Sequence, residues 1–182
     1  NIIFRWNREL DKNSSIKVQT YIDYVSRHNS TLEQDRITYD LVAQHTWQPN
    51  SRNEFIWGGG YRLVSDNLED STLIAYDPDS RTDHLFNIFF QNKYAVVPDT
   101  LFATIGSKFE HNDYTGFEYQ PNIRLAWLPT KKQTVWAAVS RAVRTPNRSE
   151  EDISVVVANL RPGFVQWQGN EGFDSEELIA YE

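Results

Sequence analysis

The chain has 182 residues, a net charge of -7 at pH 7, and neither Cys nor Met. The lack of Cys removes disulfide and thiolate chemistry, and the acidic balance argues against nucleic acid as a partner, because phosphate binding needs clustered Lys and Arg. No run of about 18 apolar residues is present, which excludes a transmembrane helix. A mean hydropathy of -0.60 with 14% aromatic residues still fits a membrane β-barrel, whose strands are only half apolar.

Apolar and polar residues alternate along most of the chain, which predicts β-strands. The predicted strands cover residues 1–8, 15–27, 35–47, 55–65, 84–96, 101–110, 119–128 and 135–143, and a last one begins near Ser175. Residues 144–174 are predicted to be irregular, although Val155 to Val157 suits a short strand. The expected fold is therefore all-β, an antiparallel up-and-down meander of about 8-9 strands.

The clearest hairpin runs from Asp35 to Ser65, with a Pro-Asn-Ser turn between its arms. If the turn places Trp47 opposite Phe55, Asp40 faces Arg62 across the two strands. Opposite charges so placed stabilise a sheet by about 0.2–1 kcal/mol. This register is therefore the predicted one.

The strand before this hairpin has two plausible registers. One places Asp23 opposite Asp40 and Arg27 opposite Arg36, and like charges directly opposite each other are unfavourable. The other places Asp23 opposite Thr38. We predict the second register.

Short connections near residues 10–14, 48–53, 98–99 and 129–133 alternate with mostly longer ones. Outer-membrane barrels have short turns at one rim and longer loops at the other. Five tryptophans lie near the short turns, as expected for an interfacial girdle: Trp6, Trp47, Trp57, Trp127 and Trp136. The pattern thus indicates part of a transmembrane β-barrel, and the alternative is a soluble sandwich whose core contains the tryptophans.

Little in the sequence indicates catalysis or metal binding. The histidines lack metal-ligand spacing: His28, His45, His84 and His111. Gly58 to Gly60 lies inside a strand, so it is not a phosphate loop. The acidic residues of the 66–82 loop suit a cation or, more simply, a solvated loop. No catalytic residue, metal ligand or cofactor is predicted.

Two motifs resemble TonB-dependent outer-membrane receptors. Trp136 to Pro146 reads WAAVSRAVRTP, which looks like a barrel strand and its following loop, where Ser-Arg and Arg-(Thr/Ala)-Pro recur in that family. Gly169 to Glu182 resembles the family stretch in which an Asn and a Glu precede a strand ending in Tyr-Glu. The strand pattern covers the whole chain, and the motifs cover its last quarter.

The resemblance implies a barrel of about 22 strands closed by a plug, in the outer membrane of a Gram-negative bacterium. It implies TonB-energised uptake of a scarce small molecule such as a ferric siderophore, cobalamin or a saccharide. Residues 1–182 form one partial barrel segment, without a plug domain or TonB box, and we expect it to be a piece of a longer protein. TonB would then act through the missing N-terminal part, and the wall would contact outer-membrane lipid.

On this interpretation the apolar face of the strands meets lipid and the polar face meets the lumen. Residues expected to face the lumen are Lys17, Asp23, Arg36, Asp40, Arg62, Lys93, Arg124 and Arg141. Candidate ligand-binding residues in the outer loops are Tyr76, Arg81 and Trp167. Two other functions remain open: a soluble all-β module that binds a ligand or carbohydrate, and an outer-membrane barrel hydrolase.

Overall fold

The fold is dominated by one antiparallel sheet of nine strands, which meanders without crossovers until its last strand. The computed structural model describes residues 1–29, 32–71, 73–160 and 163–182. In spatial order the strands are β1 (Ile2–Asp11), β2 (Ser14–His28), β3 (Glu33–Asn50), β4 (Asn53–Glu69), β6 (Ser80–Val97), β7 (Leu101–Asn112), β8 (Gly116–Thr130), β9 (Gln133–Arg144) and β12 (Glu176–Tyr181). The sheet is open, with β1 and β12 at its edges.

A second, smaller structure lies at one end of this sheet. Its three strands are ordered β11 (Gly163–Gln168), β10 (Ile153–Leu160) and β5 (Ile74–Tyr76), and the short helix α1 (Arg148–Glu151) precedes β10. We call α1 with its C-cap residue Asp152, β5, β10 and β11 the rim unit. The prediction that residues 144–174 are irregular is therefore wrong in part, because that interval forms a helical turn and a hairpin that pairs with distant β5.

Both predicted registers are confirmed. Asp40 pairs with Arg62, and the Nε atom of Arg62 lies 2.9 Å from the Oδ2 atom of Asp40. Asp23 pairs with Thr38, which avoids the like-charge pairs of the other register. The alternation of side chains along the strands thus holds across the hairpins.

The continuous registers separate the side chains of the sheet into an apolar face and a polar face. None of the described residues forms a second layer over the apolar face, so its large side chains are exposed: Ile88 is 65% exposed and Trp127 50%. Trp6, Trp47 and Trp57 lie on the same face. Trp136 differs from the predicted girdle, because its register places it on the polar face, where the Arg124 guanidinium lies 6.0 Å from its ring centroid.

The two ends of the sheet differ in their connections. At the short-turn rim the strands are joined by residues 12–13, 51–52, 98–100 and 131–132. At the long-loop rim the connections are residues 29–32, 70–79, 113–115 and 145–175, so the predicted contrast holds except at the three-residue turn 113–115. No helix among the described residues has the length and apolar character needed to cross a membrane.

Candidate ligand site at the long-loop rim

A cavity of about 480 Å³ lies between the polar face of the sheet and α1 at the long-loop rim. The wall contributes the ends of five consecutive strands of the sheet, β2, β3, β4, β6 and β7, and the turn after β7. Its lining is Val25, Arg27, Leu32, Gln34, Arg36, Val64, Asp66, Leu68, Tyr76, Asp83, His84, Leu85, Asn112, Tyr114, Thr145, Asn147, Arg148 and Ser149. Because most of these residues are polar or charged, the cavity suits a polar ligand.

Helix α1 begins where the sequence dictates. Asn147 is the N-cap residue: its side chain accepts a hydrogen bond from the Ser149 amide at 2.9 Å. The Glu150 carboxylate accepts one from the Asn147 amide at 3.1 Å, which completes a capping box. At the other side the Gly169 amide donates to the Ile153 carbonyl at 2.7 Å, and a Cβ atom on Gly169 would lie 2.5 Å from the Glu151 carbonyl oxygen. The helical turn is thus held at both ends.

Buried charges join the rim unit to the wall. We call them the rim charge cluster: Asp66, Arg81, Asp83, Arg148, Glu151 and Asp152. The Arg148 side chain, only 9% exposed, bonds to Asp66 of β4 and lies 2.9 Å from Asp152. Arg81 of β6 lies 2.6 Å from Asp83, 3.2 Å from Glu151 and 3.1 Å from Asp152. Each arginine therefore links carboxylates of the wall to carboxylates of the rim unit.

The pKa is raised for two groups here, Tyr114 beside this cluster and Glu151 within it. Burial raises the pKa of the Tyr114 hydroxyl, and the hydrogen bond that it donates to Asp83 at 2.7 Å raises that pKa further. Burial also raises the pKa of the Glu151 carboxyl, against the opposing effect of the Arg81 guanidinium. The cluster thus holds charge where water has little access.

Apolar contacts support the same attachment. Leu68 of the wall is 3% exposed, and Tyr76 and Ile153 of the rim unit are each 8% exposed. These three side chains form a buried cluster, against which Leu32, Ile74 and Val155 pack. The rim unit is therefore fixed to the wall by packing as well as by charge.

A second, open cavity of about 530 Å³ continues along the polar face toward β1. It shares Arg36 and Val64 with the first cavity, and Asp23 and Arg62 also line it. No group of His, Asp and Glu in the described ranges is arranged to hold a metal ion.

The predicted ligand-binding residues have three different positions. Tyr76 lines the cavity, and its hydroxyl is hydrogen-bonded to Ser149 Oγ at 3.3 Å. Arg81 is engaged by the carboxylates of the rim charge cluster and does not line the cavity. Trp167 lies on β11, opposite Val155, with its side chain 55% exposed and away from the cavity. Ligand binding by these residues stays a prediction.

Seven of the eight residues expected to face the lumen share the polar face: Lys17, Asp23, Arg36, Asp40, Arg62, Lys93 and Arg124. Arg141 does not share it in backbone register, because it pairs with Ile179 and follows the alternation of Val139 on the apolar face. Its side chain is nevertheless only 12% exposed, since it bonds to Glu177 and lies 4.3 Å from the Tyr119 ring centroid. That the polar face lines a lumen stays a prediction.

Sequence reasoning missed Arg148 and Tyr114, and it treated Asp66 only as part of an acidic loop that suits a cation or solvent. Arg148 and Asp66 are 82 positions apart, and neither lies in a motif that indicates the other. One local signal was present, because Asn147 followed three residues later by Glu150 matches a capping box and predicts a helix start. That signal locates α1 but not its partner on the wall.

An open antiparallel meander with an exposed apolar face, a polar face and a girdle of tryptophans is the wall of a transmembrane β-barrel. The family model described as TonB dependent receptor-like, beta-barrel matches residues 2–182. The chain belongs to this family.

Individual relatives agree with the family. The chain is 28% identical over 102 residues to the ferric enterobactin receptor of Pseudomonas aeruginosa. It resembles the solved siderophore receptor PirA of P. aeruginosa with a TM-score of 0.70, 15% identity and 98% of this chain covered. It also resembles PirA of Acinetobacter baumannii, with a TM-score of 0.55, 11% identity and 93% covered. The aligned part is 12% of the enterobactin receptor, and 34% and 32% of the two PirA chains.

Proposed function

We propose that this chain is part of the barrel wall of an outer-membrane receptor that binds a small molecule at the long-loop rim, for TonB-energised uptake. The ligand class that we propose is a ferric siderophore. In this arrangement the apolar face contacts lipid, the polar face contacts the lumen and plug, and the cavity beneath α1 contributes to ligand binding.

The cavity at the long-loop rim is the observation that carries the proposal. It opens on the polar face, and α1 and Tyr76 of the rim unit line it, with the rim unit tied to the wall by buried charges. Ligand sites are concave and orient their ligands through placed polar groups. This cavity is concave, and most of its lining residues are polar or charged. The receptors named among the relatives support a siderophore as the ligand class.

The soluble binding module explains the structure less well. A soluble sheet needs a second layer over its apolar face, whereas Phe86, Ile88 and Ile123 are each more than half exposed here. Lipid accounts for such a face, because a barrel wall is apolar on its outer side.

The test is uptake of radioactive iron by cells that carry the full-length receptor as their only siderophore receptor. We expect iron accumulation from at least one ferric siderophore and its loss in a strain without TonB. The control is the same strain carrying an empty vector. Uptake equal to that of the empty vector for ferric catecholates, hydroxamates and carboxylates alike would overturn the siderophore proposal.

A further inference from the structure

Three charged residues form a row across the wall at the long-loop rim. Arg36 of β3 is directly opposite Asp66 of β4, and Asp66 is directly opposite Arg81 of β6. All three belong to the polar face. In an isolated sheet the Asp66 carboxylate would be shared by the two neighbouring arginines, because opposite charges on facing positions attract.

The rim unit changes this pairing. Arg148 of α1 bonds to the Asp66 carboxylate, and both side chains are less than a tenth exposed. Arg81 is held by Asp83 and by Asp152 of the rim unit. Within the residues that the structure describes, Arg36 therefore has no ion pair, although it stands opposite a carboxylate.

Arg27 is a second arginine that makes no ion pair among the described residues. It lies on β2 opposite Gln34, one diagonal step from Arg36 on the same face, so the two side chains are neighbours. Both line the cavity beneath α1. Neither side chain has an ion pair or hydrogen bond in the part of the chain that the structure describes, and both residues are exposed.

The nearby acidic groups do not neutralise these two arginines. Asp40 lies 2.9 Å from Arg62, and Asp83 is engaged by Arg81 and Tyr114. Asp23 is diagonal to Arg36 but makes no ion pair with it among the described residues. The cavity wall therefore carries two arginines without an ion pair among the described residues, next to Asp66 and Asp83, which are engaged by other arginines, and to Asp23, which is also unpaired.

We propose that Arg27 and Arg36 form an anion subsite that selects ligands with carboxylate or catecholate oxygens. In this proposal Arg148 is a positioning residue, which keeps Arg36 available by holding Asp66. The inference rests on the proposed function, since it assigns a charge class to the ligand of the same cavity. Arginine suits the role because its guanidinium stays charged and binds paired oxygens with two parallel hydrogen bonds.

The experiment compares two probes on the full-length receptor in detergent by calorimetry. One probe is a negatively charged ferric tris-catecholate complex, and the other is an uncharged ferric tris-hydroxamate complex. For Arg27→Gln and Arg36→Gln we expect about tenfold or greater weakening for the charged probe, because a charge-assisted hydrogen bond is lost. Arg36→Lys should recover part of the affinity.

The matched control is Arg5→Gln, which removes an arginine of the same face from β1, where it pairs with Gln19 outside the cavity. This variant should bind the charged probe as the unsubstituted receptor does. Heat-modifiable migration confirms that each variant is folded.

The role of Arg148 has its own readout, the ratio of the affinity for the charged probe to the affinity for the uncharged probe. Arg148→Met should lower this ratio, because Asp66 then neutralises Arg36. Adding Asp66→Asn should restore the ratio, since no carboxylate is left opposite Arg36. A purely structural role for Arg148 predicts instead that the ratio recovers only in step with the exchange protection of the Gly169 amide.

The outcomes separate the two proposals. If a probe binds and neither arginine substitution changes the ratio of affinities, the anion subsite is wrong and the receptor function stands. If the receptor takes up iron only from uncharged complexes, the anion subsite is likewise wrong. If neither probe binds and no siderophore supports uptake, the proposed function fails and the subsite fails with it.

Discussion

Substitution of Arg148 by Met should loosen the rim unit from the wall. Arg148 is 9% exposed and bonds to Asp66, whose side chain is 7% exposed, while Asp152 beside it is 1% exposed. Removing the guanidinium leaves buried carboxylates with less compensation. Breaking a buried ion pair from one side costs about 3–5 kcal/mol.

This cost should appear as local opening, since the nine-stranded sheet does not depend on α1 for its own pairing. About 3 kcal/mol corresponds to an increase of about a hundredfold in the open population. The assay is hydrogen exchange by mass spectrometry on the receptor in detergent. The reporters are the Gly169 and Asn170 amides, which donate to the carbonyls of Ile153 and Glu150.

Arg52→Met is the matched control, because Arg52 is exposed in the turn at the short-turn rim. Its exchange at Gly169 should equal that of the unsubstituted receptor. Asp66→Leu in the Arg148→Met background should recover part of the protection, since replacing both partners by apolar groups removes the uncompensated charge. Unchanged exchange at Gly169 in Arg148→Met would refute the reasoning.

The remaining predictions concern pH, the sheet register and close packing. The pKa of the Tyr114 hydroxyl is raised above 10.0 in the folded rim, so an opened rim loses that proton first as the pH rises. The exchange protection of the Gly169 amide should therefore fall above about pH 10. Tyr114→Phe should remove this pH dependence, and a fall that persists in the variant would contradict the prediction. Arg62→Gln should lower the free energy of unfolding by at most about 1 kcal/mol in a urea titration, since the Arg62 side chain is 47% exposed. A double-mutant cycle with Asp40→Asn should give a coupling free energy of at most about 1 kcal/mol between the two side chains. Gly58→Ala should destabilise the wall by about 1–3 kcal/mol in the same titration, because its Cβ atom would clash with the Ala43 carbonyl oxygen and lie 2.6 Å from Phe89 Cζ, and an unchanged free energy of unfolding would contradict this.

The wall could be predicted from the sequence because its information is local. Each strand alternates over many residues, and the short turn between β3 and β4 fixes their register, as Asp40 opposite Arg62 illustrates. For β2 and β3, the register that places Asp23 opposite Thr38 is the one that avoids like-charge pairs. Charge pairing across neighbouring strands then excluded the competing register.

The rim unit could not be predicted in the same way. β5 has only three residues, too few for an alternation to be recognised, and it pairs with β10 almost eighty positions later. The bond between Arg148 and Asp66 spans 82 positions, so no spacing rule connects them. Arg81, predicted from its loop position as a ligand residue, is engaged by carboxylates that only the folded rim unit supplies.

The central claim is that the apolar face of this sheet meets lipid and the polar face does not. Tyr61 lies on the apolar face, between Leu41 and Phe86 in neighbouring strands, whereas Gln44 lies on the polar face opposite Gly58. Arg at the lipid-facing midplane costs about 2–4 kcal/mol, so Tyr61→Arg should impair insertion of the full-length receptor, while Gln44→Arg should insert almost normally.

Heat-modifiable migration of these two variants in outer-membrane vesicles is the most direct measurement of this claim. The account predicts a much smaller folded fraction for Tyr61→Arg than for Gln44→Arg. Equal folding of the two variants, or recovery of the unsubstituted receptor in the soluble fraction, would contradict it.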